Sequence, residues 1–124
     1  MQTSSAGGGF RDVQARLAGI AHDFVTEQAE RLARTHLDRA DFDRLAEAGY
    51  LRVAVPVDHG GLFEDVSRSA RPIGEALRTL ARGDASVALV AAMHPAVLVY
   101  WAEVPSADAP FEEAWRAQRE AFFE

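Results

Sequence analysis

The sequence contains no cysteine. That excludes disulfides, thiolate metal ligands and cysteine-based redox chemistry. It contains no lysine either, since all 13 basic residues are arginine. No side-chain amine is there to form a Schiff base with a carbonyl substrate. Positive charge is scarce overall: 13 arginines face 19 acidic residues, for a net charge of −6. This balance argues against a general nucleic-acid binder, which needs a basic surface to neutralise phosphates. Long hydrophobic runs are also few. The longest, residues 85–102, is interrupted by Ser86, His94 and Pro95 and falls short of the roughly 20 apolar residues that span a bilayer. No membrane partner is expected. The opening MQTSSAGGGF has no basic cluster ahead of an apolar stretch, so it is not a secretory signal, and the cytoplasm is the expected compartment. No internal repeat is present.

What remains is an ordinary globular composition. The 124 residues are 48% hydrophobic and 26% charged, which suits one domain with a real core. Residues 1–11 are expected as a flexible leader and residues 12–124 as an α-helical domain. Val13, Leu17, Ile20, Phe24 and Leu32 fall at helical spacing and predict a first helix from Asp12 to about Arg34, with Asp12 as its N-cap. Arg16, Asp23, Glu27, Glu30 and Arg31 are assigned to its outer face. A second helix is capped by Asp38 or Asp41, buries Phe42, Leu45 and Ala46, and ends at Gly49. YLRVAVP is too apolar for a free loop and is expected as an extended, partly buried crossing.

PVDHGG, residues 56–61, predicts a tight reversal. Pro56 disfavours helix at Val55, and Gly60 and Gly61 permit left-handed backbone and close approach. A third helix is expected to begin near Ser69–Arg71, so that Pro72 falls in its first turn, and to run to Arg82. Ile73, Ala76, Leu77 and Leu80 would face inward. Gly83 closes it and Asp84 caps a fourth helix over residues 85–102. That helix is apolar nearly all round and is expected to be buried on most sides, with a kink or break near Ala91 caused by Pro95. VPSADAP is a loop. Asp108 caps a fifth helix with Phe111, Trp115 and Phe122 on its apolar face. The chain reaches Phe122-Phe123-Glu124 with no C-cap. Two phenylalanines left in water forgo roughly 1.5–3 kcal/mol each, which predicts the front piece of a longer protein. The expected fold is therefore all-α, with about five helices.

Few residues suggest chemistry of their own. His22, His36, His59 and His94 lack the spacing of a metal site. His59 is expected to serve the turn, and His94 to be a satisfied core histidine. Asp41 with Asp43, and Glu112 with Glu113, are assigned to solvated faces or helix N-termini. Arg82-Gly83-Asp84 is a helix end and cap. Gly7-Gly8-Gly9 follows no strand and is no phosphate loop.

FDRLAEAGYLRVAVPVDHGG, then a helix, then EALRTLARGDASVALVAAMH, resembles the N-terminal helical domain of acyl-CoA dehydrogenases. Gly49, Pro56, His59, Gly60, Gly61, Asp84, Ser86 and His94 occupy the family's places in order. The resemblance covers residues 12–124. It implies a flavoenzyme with a β-domain and a C-terminal helical bundle, the catalytic glutamate and the FAD site both lying beyond residue 124. It also implies a homo-oligomer acting on an acyl-CoA thioester, with an α-proton taken by the glutamate and a β-hydride by the flavin. No catalytic or cofactor-binding residue is then expected in this chain. By position on the buried helix, Leu89, Ala92, Met93 and Ala96 would line the acyl pocket. Flavin-dependent monooxygenases of the same fold are similar at this end. A different class of reading is a free-standing helical interaction module that docks a partner through Trp115, Phe122 and Phe123.

Overall fold

The computed structural model describes residues 5–102 and 111–124, with side chains from Gly9 onward. It is built from helices: α1 (Ser5–Thr26), α2 (Gln28–Leu32), α3 (Arg39–Glu47), α4 (Val66–Gly83), α5 (Ala85–Ala102) and α6 (Glu112–Phe123). Among the described residues there is no strand, only an isolated bridge between Pro56 and Phe63. The all-α expectation holds. Six α-helices are present among the described residues because the expected first helix is divided at Glu27.

α1 starts at Ser5, so Asp12 lies inside the helix and does not cap it, and residues 5–11 are its first turns. Its buried face is Val13, Leu17, Ala21 and Phe24. Leu32, expected on that face, is 79% exposed, whereas Arg31, expected outside, is only 8% exposed. Helical geometry explains the exchange. Arg31 lies seven residues, close to two turns, after Phe24, so it points along the same side of the cylinder. Leu32 is rotated a further 100° or so, off the core face.

α3 is capped by Asp38, whose carboxylate accepts from the Ala40 N–H at 2.9 Å. Leu45 and Ala48 are buried and Phe42 packs at the margin, while Ala46 is exposed. Gly49 ends the segment with φ 90°. The following stretch is not extended. It winds through two 3₁₀ turns, Tyr50–Arg52 and Val57–His59, with Tyr50, Val53 and Ala54 buried.

The 56–61 reversal is closed by backbone hydrogen bonds. Val57 N–H donates to Phe63 C=O (3.0 Å), Phe63 N–H to Val55 C=O (2.9 Å) and Gly61 N–H to Pro56 C=O (3.0 Å). Gly60 takes φ 81°, where an L side chain is strained. Gly61 serves close approach instead: a Cβ there would lie 1.9 Å from the Val55 carbonyl oxygen.

α4 begins earlier than expected. Asp65 caps it by accepting from the Arg68 N–H at 2.9 Å, and Pro72 lies within the helix. Its buried residues, Ser69, Ile73, Ala76 and Leu80, follow steps of four, three and four. That face needs Ser69 in helical register, where its hydroxyl also accepts from the Glu64 N–H at 3.0 Å. Pro72 withdraws one hydrogen bond from the carbonyl of Arg68, an exposed residue, and burial of the α4 face outweighs it.

α4 lies along α1, tied to it by the Gln14 Nε2–Thr79 Oγ1 hydrogen bond (2.6 Å), and α5 packs on α4. α3 touches both α1 and α5, and α6 packs on α5. The core between them includes Leu17, Phe24, Leu45, Tyr50, Leu80 and Val87, all fully buried. The expected VPSADAP loop and the Asp108 cap lie outside the described residues. In α6 the expected apolar face is altered. Phe123 is buried, while Phe111 and Phe122 are exposed.

Candidate functional site

α5 carries the feature most open to function. Its start is fixed by Asp84. One carboxylate oxygen accepts from the N–H groups of Ser86 (2.9 Å) and Val87 (3.0 Å), and the other accepts from Arg31 Nε (2.8 Å). Burial pushes the Asp84 carboxyl up, but the Val87 N–H and the Arg31 guanidinium outweigh it and hold the group below its ordinary value. Arg31 also makes a bidentate pair with Asp41, at 3.1 and 2.6 Å, and lies 3.7 Å from the centre of the Phe24 ring. Asp41, assigned to a solvated face, is therefore a buried anchor.

Midway along α5, Pro95 has no N–H, so the Ala91 carbonyl loses its helical partner. The buried Tyr50 hydroxyl replaces it, donating to Ala91 C=O at 2.6 Å. Burial pushes the Tyr50 phenol up, which keeps it a proton donor. His94 Nε2 lies 2.9 Å from Leu51 C=O, which ties the ring to the segment after α3. The helix runs unbroken through Pro95.

These fastenings hold one side of α5 against the domain: Val87, Ala88, Ala91, Pro95 and Leu98 are buried. The other side is bare, contrary to the expectation of burial on most sides. Leu89 is 73%, Met93 63% and Tyr100 61% exposed, with Val90 and Val97 also open. The physical reason is composition. A helix that is apolar all round carries no polar stripe to say which face is covered. At 18 residues and mean hydropathy 1.6, α5 is long and apolar enough to cross a membrane by those two measures alone.

Of the four residues expected to line a pocket, Ala92 and Ala96 border an apolar groove between α4 and α5. The groove is about 380 Å³ and is also lined by Ile73, Leu77 and Val99. Leu89 and Met93 lie apart from that groove, on the bare strip, with Ala96 exposed between groove and strip. A second, polar cavity of about 530 Å³ is bordered by Arg31, Arg34, His36, Asp41, Asp84 and Ser86. Sequence reasoning missed it, because its charges come from three distant segments. The one available signal was the seven-residue step from Phe24 to Arg31.

The bare strip of α5 offers no donor for a pyrophosphate. Of the guanidinium groups at the polar cavity, Arg31 is engaged with Asp41, Asp84 and Glu27, and Arg34 with Glu30 and Asp41, while the exposed Arg82 borders it as well.

A model of the acyl-CoA dehydrogenase N-terminal domain matches residues 10–104, from α1 through the end of α5. No curated protein and no solved structure matches. Since the match spans well over half of the chain, the protein belongs to the acyl-CoA dehydrogenase family, and residues 10–104 are its N-terminal domain.

Proposed function

We propose that this domain is the helical wall of an acyl pocket in an acyl-CoA dehydrogenase-like flavoenzyme. The carrying observation is the uncharged bare strip of α5, held rigid by Asp84, Tyr50 and His94. A β-domain and a C-terminal bundle complete the enzyme in this reading, supply the FAD site and the carboxylate base, and support assembly into a homo-oligomer. The redox chemistry, removal of an α-proton and a β-hydride from the thioester, belongs to those parts. The domain's share is to bind the acyl chain, orient it and exclude water. Each buried methylene contributes about 0.8 kcal/mol, so an apolar wall favours longer chains. Leu89, Met93 and Ala96 are the contact residues and Ala92 the floor of the adjoining groove.

The test is photolabelling of the complete flavoenzyme with an acyl thioester carrying a photoreactive group near the end of its chain. Label on residues 89–96, competed by unlabelled thioester, supports the reading. Label confined to other segments contradicts it, as does a flavin spectrum from the purified 124-residue chain alone.

A further inference from the structure

His59 lies on the turn that reverses the chain before α4, and its imidazole is held between two carboxylates. Nδ1 is 3.1 Å from an Asp58 oxygen and Nε2 is 3.1 Å from a Glu120 oxygen on α6. Carboxylates only accept, and a neutral imidazole has a single N–H. Both contacts are hydrogen bonds only when the ring is an imidazolium. The ring also packs against Phe123, the buried residue of α6, with centroids 5.2 Å apart and the planes tilted by 54°, and the Arg119 guanidinium covers the same phenyl ring at 5.4 Å. The turn beneath is stiff, because Arg52 donates twice to Gly60 C=O at 3.0 and 2.7 Å.

We propose that His59 is a pH-sensitive latch: protonated, it ties α6 to the 56–61 turn through Asp58 and Glu120, and on losing its proton it loosens that tie. α6 lies outside the span of the family match, and its other anchors are aromatic. Trp115 packs against Tyr100 and Trp101, and Phe122 stacks on Trp101. Those aromatic contacts do not depend on the His59 proton, so its loss loosens the latch end of α6 over the end of α5. The charged groups around the imidazole are Asp58 on the turn and Glu120 and Arg119 on α6. Glu64, Asp65 and Arg68 border the adjoining cavity with Asp58 and Arg119. The Glu120 carboxylate first, and Asp58 second, raise the imidazole above its ordinary 6.5 and outweigh the opposing effect of burial. A raised value means that the latch is whole below 6.5 and is lost as pH climbs through the folded-state value.

The test is a pH series on the full chain with two readouts, the His59 ring resonances and the exchange protection of α6 amides relative to α1. In the wild type, α6 protection falls as His59 deprotonates. In Glu120→Gln, which keeps shape and exposure, the His59 titration moves down and α6 protection no longer follows it. His59→Gln gives α6 a low, pH-independent protection. An unchanged His59 titration in Glu120→Gln, or α6 protection that stays flat across the His59 titration in the wild type, overturns the proposal.

Discussion

The Arg31 guanidinium touches three carboxylates from three segments: Glu27 beside it, Asp41 on α3 and Asp84 at the head of α5. Its hydrogen bond with Asp41 leads the effects that raise its proton affinity, so it stays charged although buried. Removing one member of a buried ion pair leaves the others unpaired and costs about 3–5 kcal/mol. Arg31→Met is therefore expected to lower the unfolding free energy by about 3–5 kcal/mol in a urea titration. Arg31→Met combined with Asp41→Leu recovers part of that loss, because the second change removes the stranded carboxylate. Asp84, held below its ordinary value, contributes stability above 3.8 that disappears as pH falls through its folded-state value. The position of Arg31 was legible as two helical turns after Phe24. Its charge pointed outward on any propensity argument, and no spacing in the sequence announces partners 10 and 53 residues away.

At the scale of the element, the ends of α3, α4 and α5 were written in Asp38, Gly49 and Asp84, residues whose side chains or backbone freedom satisfy helix termini. The two internal prolines were not legible in the same way. Pro72 pointed to a later start for α4 and Pro95 to a kink or break in α5, because a proline's local cost is visible in sequence and its compensation is tertiary. For Pro95 the compensation is the Tyr50 hydroxyl on the Ala91 carbonyl. A buried carbonyl left without a donor costs about 1–3 kcal/mol. Tyr50→Phe is expected to destabilise by about that amount. In a Pro95→Ala background the substituted residue supplies its own N–H to the Ala91 carbonyl, and the same Tyr50→Phe change costs clearly less. A double-mutant cycle by thermal or urea unfolding measures the coupling, and strict additivity contradicts this account of α5.

For the whole molecule, the order of helices followed from punctuation and periodicity, and the family resemblance from the ordered set running from Gly49 to His94. Burial followed for Val13, Leu17, Phe24, Leu45, Ile73, Ala76 and Leu80, but not for α5 and the end of α6. α5 looked like a core helix and proved half bare, while Phe123 looked stranded and proved to pack under His59. Both outcomes depend on which surfaces meet, and apolar composition alone does not choose between faces. The bare strip gives the account its central claim, that α5 is a wall for an apolar chain. The most direct measurement is kcat/KM of the complete flavoenzyme against acyl chain length, wild type beside Met93→Ser. The account predicts a loss that grows with chain length, up to the full worth of the Met93 contact, about 1.5–3 kcal/mol or roughly tenfold and more for the longest chains, with short chains spared. An equal loss at every length, or none at any, would contradict it.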